Sequence, residues 1–68
     1  MRMIDDIEQN RAEIQLIDGS IIVGYGDFIG ECAIGDGDEY EEFLHFLPDS
    51  GGYLCLTDND IKSYRLLD

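Results

Sequence analysis

Asp18-Gly19 separates an alternating stretch, Ala12-Glu13-Ile14-Gln15-Leu16, from a β-branched run, Ile21-Ile22-Val23. Apolar residues spaced by two set one face of a strand against a core, and Asp-Gly tolerates the positive φ that a tight reversal needs. The pattern predicts a strand over residues 12–17, a hairpin turn, and a second strand over 20–30. That second strand carries Gly24, Gly26 and Gly30. Glycine weakens a strand interior unless the chain bends, bulges or nears another backbone there, so this spacing predicts strong curvature.

Downstream, Phe43-Leu44-His45-Phe46-Leu47 ahead of Pro48 predicts a third strand over 41–47. Asp49-Ser50-Gly51-Gly52 supplies turn chemistry, and Tyr53 to Thr57 predicts a fourth strand over 53–57. A corner at Asp58-Asn59-Asp60 leads into a fifth over 61–66. Ahead of the hairpin, Ile4 and Ile7 lie three apart with Asp5, Asp6 and Glu8 beside them, which suits a short helix over 3–10. So short a helix has to pack on something. Connections of a few residues with no crossover helix favour antiparallel pairing, so the expected fold is mainly β: a five-stranded, strongly bent antiparallel barrel. Ile21 to Val23 and Phe43 to Leu47 are apolar on both faces, which calls for the helix or another subunit on the second face.

The chain has 68 residues, enough for a single domain over 1–68, and a core of that size shields only about 60% of the unfolded surface. Its 4 Lys plus Arg against 16 Asp plus Glu give a formal charge of −12. Such a surface repels phosphate backbones and anionic lipid headgroups, so nucleic acid is an unlikely partner and no membrane association is expected. A hydrophobic content of 44% is too high for a disordered acidic tail. No stretch approaches 18 apolar residues, and the acidic start lacks the apolar run of a secretory signal, so a cytoplasmic protein is expected.

Residues 35–42 are acidic without apolar alternation and read as a solvated loop or hairpin tip. Asp36, Asp38, Glu39, Glu41 and Glu42 there lack the dry concave walls that acid–base catalysis by paired carboxylates needs. Counted as a calcium loop from Asp36, the fifth position is Tyr40, the sixth Glu41 and the twelfth Leu47, which fails the template. Weak, nonspecific cation binding by the loop stays open. His45 is the single histidine, and Cys32 and Cys55 stand 23 residues apart, matching no zinc or redox spacing. Buried free thiols and a structural or surface histidine are expected. A Cys–His nucleophile would need the two side by side, which sequence alone does not provide. Gly24, Gly26 and Gly30 miss the dinucleotide-binding spacing. The expectation is a non-enzyme with no catalytic residue, no cofactor and no metal site.

The order of helix, Asp-Gly hairpin, glycine-bearing bent strand, acidic loop and short terminal strands resembles the Sm-like (LSm) family of SH3-like small barrels. Ile14, Leu16, Asp18, Gly19 and Gly24 stand where the first Sm motif has its apolar alternation, turn and later glycine. Leu56-Thr57-Asp58-Asn59-Asp60-Ile61-Lys62-Ser63-Tyr64 has the shape of the second motif. The resemblance makes Asp18, Gly19, Gly24, Asp58, Asn59, Asp60 and Ile61 fold-motif positions. RNA-binding members carry an Arg-Gly or similar basic pair where Thr57-Asp58 stands here, and Asn10 and Asn59 lie outside the first motif. The chain is therefore similar to a divergent, acidic, bacterial-type member without the RNA pocket.

What this implies is a non-enzymatic interaction module whose edge strands pair with copies of itself, giving a homo-oligomer, or with a protein partner. Tyr53, Tyr64, Asp38 and Glu39 are the candidate contact residues. The alternative is an acidic regulator that blocks the basic nucleic-acid site of a partner protein, similar in fold and charge to the Rho-binding antiterminators. RNA binding in the usual Sm manner is least favoured, because Arg2, Arg11, Lys62 and Arg65 would have to converge.

Overall fold

In a computed structural model, which describes residues 2–67, the Asp18-Gly19 dipeptide turns the chain between strands β1 (Arg11–Leu16) and β2 (Ile21–Ala33). Gly19 takes φ 94° and its N–H donates to the Leu16 carbonyl at 2.9 Å. The Asp18 carboxylate accepts from the Ser20 N–H at 2.9 Å and hydroxyl at 2.6 Å, holding the turn from inside. Strands β3 (Tyr40–Pro48), β4 (Leu54–Leu56) and β5 (Ile61–Leu67) complete one antiparallel sheet of five strands in the order β4-β3-β2-β1-β5. A short helix, α1 (Met3–Ile7), precedes it, and a 3-10 turn at Asp58–Asp60 joins β4 to β5. The expected mainly β class, antiparallel sheet and N-terminal helix are therefore present. No helix among the described residues is long and apolar enough to cross a membrane.

Several boundaries differ from those the spacing predicts. The helix stops at Ile7 instead of residue 10, because Gln9 adopts φ 65° and donates its N–H to the Gly26 carbonyl at 2.7 Å. β2 runs on to Ala33, and Tyr40, Glu41 and Glu42 pair with Ala33, Cys32 and Glu31. Residues 40–42 of the acidic segment are thus strand, and the solvated tip is only 34–39, where Ile34 donates to the Glu39 carbonyl at 3.0 Å. β4 is reduced to three residues.

The sheet curls around its own core. Laid flat, five strands would put the edges about 19 Å apart, yet Leu56 on β4 and Ile61 on β5 belong to one buried cluster with Ile4, Ile7, Ala12, Ile14, Leu44 and Phe46. Burial of each large member contributes about 1.5–3 kcal/mol. The ladder does not close: β4 and β5 are the two ends of the sheet and no strand pairing joins them among the described residues. Gly24 and Gly26 each admit a close backbone approach, of β3 and of α1. A Cβ on Gly24 would stand 2.1 Å from the Leu47 carbonyl oxygen, and one on Gly26 would stand 2.3 Å from that of Ile7.

Helix α1 lies in the mouth of the curl with Ile4 and Ile7 buried. Its own N-cap position, Arg2, supplies no side-chain cap. The cap comes from the far end of the chain, where the Asp58 carboxylate accepts from Met3 N–H at 2.8 Å and Ile4 N–H at 3.0 Å. Asp60 closes the same corner: its carboxylate accepts from Thr57 N–H at 2.9 Å and its carbonyl from Ile17 N–H at 3.1 Å. Of the fold-motif positions, Asp18, Gly19, Gly24, Asp58, Asp60 and Ile61 thus each have a physical task, while Asn59 is exposed.

Candidate interaction surface

Strand alternation decides which side chains face outward. On β3, Leu44 and Phe46 point into the core, leaving Phe43, His45 and Leu47 on the outer face. On β2 the register shifts between Gly26 and Phe28, so Asp27 is the extra residue of a bulge and Phe28 comes opposite His45. The Phe28 ring stacks on the His45 imidazole with centroids 4.2 Å apart and planes 11° from parallel. Tyr53, just before β4, continues the row at 6.1 Å and 23° from His45. Gly30 makes room for this stack: a Cβ there would meet Phe28 at 3.0 Å and His45 at 3.2 Å. The third glycine of β2 therefore serves the outer face, whereas the first two admit the backbones of β3 and α1.

Phe28, His45, Tyr53, Leu47 and Asp27 line an open groove of about 240 Å³. Phe28 is 48% exposed, Leu47 41% and Tyr53 64%, although all three carry large apolar surfaces. The groove runs directly onto an unpaired sheet edge, since Tyr53, Leu54 and Cys55 are exposed at the β4 end. A larger depression of about 320 Å³ lies across β1 and β5. Its polar groups already satisfy one another, through Arg65–Glu13 at 3.2 Å and Ser63–Gln15 at 3.3 Å.

The thiols are free but not buried: Cys32 is half-buried and Cys55 exposed, because both fall on the outward side of the pleat, opposite Glu41 and His45. The sheet register brings Cys55 Sγ to 3.9 Å from His45 Nδ1, an adjacency the sequence does not reveal. This is a long contact on an open face. Among the described residues, no three His, Cys, Asp or Glu side chains gather as a metal would require.

Of the four expected contact residues, Tyr53 lies in the groove. Tyr64 packs on the core from β5, at the opposite end of the sheet, and its hydroxyl donates to the Asp6 carboxylate. That bond and the nearby negative charge push its pKa up. Asp38 and Glu39 sit at the exposed 34–39 tip. Phe28, Leu47 and Asp27 were not legible as contact residues from sequence, although the two-faced apolar run at 43–47 pointed to an occupied outer face.

The four basic residues do not converge. Arg2 bridges Asp5 at 3.0 Å and Glu42 at 2.8 Å, Arg11 holds Asp49 by two bonds of 2.8 and 3.0 Å, and Arg65 reaches Glu13 at 3.2 Å. Lys62 alone has no ion pair among the described residues. The guanidinium of Arg2 holds the Asp5 carboxyl below its usual value, and that of Arg11 does the same for Asp49. Asp18 is also lowered, by hydrogen bonds from the Ser20 side chain and backbone. Compared with known proteins, the chain matches no protein-family model, no curated protein and no solved structure.

Proposed function

We propose that the chain is a non-enzymatic interaction module of Sm-like type that works through protein–protein contacts. The carrying observation is the β4 end of the sheet, where an unpaired strand edge is continuous with an exposed apolar groove. An open edge offers backbone hydrogen bonds to an incoming strand, and exposed aromatic surface rewards its side chains. The incoming strand is a second copy or a strand of another protein. Light scattering across protein and salt concentration tests the first case. Self-assembly gives a mass above the 7.7 kDa chain, rising as salt screens repulsion between copies, and Leu54→Lys at the edge returns it to one chain. A strict monomer at high salt and concentration rules out the homo-oligomer and leaves the partner.

A second reading is an acidic regulator that covers the basic nucleic-acid site of another protein. It is favoured by a charge of −12 in which all three arginines are already paired with carboxylates. Complementary charge speeds such encounters and makes them salt-sensitive. Competition between this chain and nucleic acid for a basic binding protein is the expected result. Failure to retain any basic nucleic-acid-binding protein at low salt would end this reading. The same pairing removes the basic patch that direct RNA binding needs.

A further inference from the structure

We propose that the outer groove formed by Phe28, His45, Leu47, Tyr53 and Asp27 seats an arginine side chain from an extended segment of a basic protein partner. The inference rests on the basic-partner reading above and names what that partner inserts. Phe28 and Tyr53 present exposed rings on either side of His45 with planes close to parallel. A guanidinium is planar and weakly hydrated, so it stacks on aromatic faces, while a lysine ammonium is compact and holds its water. The groove, at about 240 Å³, has the scale of one side chain and is too small for a helix. Asp27 places a carboxylate-bearing residue in a wall that is otherwise aromatic and aliphatic.

Charge selects the class of occupant. With a net charge of −12, the field of the chain concentrates cations and repels phosphates, which disfavours a nucleotide base on the same rings. A second copy is a poor donor, because Arg2, Arg11 and Arg65 are each engaged with carboxylates of their own chain. The β4 edge supplies the direction of approach. A strand added there sends alternate side chains to the outer face, where Tyr53 and Cys55 already lie, so one residue of the added strand stands beside the groove.

The test is titration of the chain with a short, lysine-flanked peptide bearing one central arginine, and with its counterparts bearing lysine or citrulline at that position. Binding is read by calorimetry and by the ring resonances of Phe28, His45 and Tyr53. The arginine peptide is expected to bind about 3- to 10-fold tighter than the lysine peptide, with shifts centred on those rings. Tyr53→Ala and Asp27→Asn should each reduce that preference, with unchanged Ile14 and Leu44 methyl signals showing an intact core. Asp36→Asn, which removes the same charge at the exposed hairpin tip, should leave it unchanged. Equal arginine and lysine affinities with shifts scattered over the acidic surface would overturn the groove while leaving the basic-partner reading standing. Citrulline binding as well as arginine would overturn it too, as would ring shifts that depend on protein concentration without peptide, the sign of a second copy. No binding of any of the peptides at low salt would sink the basic-partner reading itself.

Discussion

Gly26→Ala places one methyl where the helix meets the sheet. The added Cβ would lie 2.3 Å from the Ile7 carbonyl oxygen and 2.9 Å from Ile7 Cγ2, inside the 3.0 Å that real Cβ contacts essentially never cross. The obstacle is backbone, so no rotamer change relieves it. The same glycine donates to the Asn10 carbonyl at 2.9 Å and accepts from Gln9 N–H at 2.7 Å. If the sheet yields, overpacking costs about 1–3 kcal/mol. If α1 is pushed off, two backbone hydrogen bonds go, at about 1 kcal/mol each, together with part of the burial of Ile4 and Ile7, at about 1.5–3 kcal/mol each. Alanine's advantage over glycine in the unfolded chain returns only about 0.4–1 kcal/mol. A net loss of about 2–4 kcal/mol is expected, against roughly 3–10 kcal/mol of total stability for a chain this size. Thermal unfolding followed by circular dichroism should show Tm falling by about 10–25 °C. The matched control is Gly37→Ala, where a Cβ meets nothing within 4 Å, and its Tm should stay close to that of the parent. Equal Tm values for the two variants would refute the close-approach argument.

Asp58→Ala removes the carboxylate that caps the N-terminus of α1 and should cost about 1–3 kcal/mol in denaturant unfolding. Because 16 acidic side chains face 4 basic ones, added salt relieves more repulsion than it screens attraction. Tm should therefore rise with sodium chloride, by about 4–8 °C for each kcal/mol relieved. Asp5, Asp18 and Asp49 have folded-state pKa values below the ordinary 3.8. Their contribution is complete above that value and lost as pH falls through the depressed ones. In a pH series of unfolding curves, Asp49→Asn should be less stable than the parent at neutral pH, and the two should converge as pH falls through the depressed Asp49 value, below the ordinary 3.8.

The local signals in the sequence carried the fold further than the site. Period-two alternation and the Asp18-Gly19 turn describe nearest-neighbour chemistry, and they led to the right strands in the right sense of pairing. The helix was expected to run to residue 10 because the spacing of Ile4 and Ile7 says nothing about Gln9, whose N–H is taken by Gly26 across the sheet. The acidic segment was expected to be solvated throughout, yet Glu41 and Glu42 join β3 because β2 continues far enough to pair with them. The groove was harder to foresee. Phe28 reaches His45 only through a bulge at Asp27, and Tyr53 joins them only through strand register. Tyr64 looked equivalent to Tyr53 by composition, but the register shift opposite Gln15 and Leu16 breaks the alternation on β5 and turns it inward, opposite Ile14 of β1.

The Asp58 cap also bears on how the polypeptide matures during synthesis. Met3 and Ile4 depend on a carboxylate that follows them by 55 and 54 positions, so a helix made before all five strands is among the last elements to settle. Until Asp58 emerges, the Met3 and Ile4 N–H groups lack their cap, and Ile4 and Ile7 are held less firmly against exposure to chaperones and proteases. A translation product halted before Asp58 should be degraded as an unfolded polypeptide, even though it contains most of the sheet.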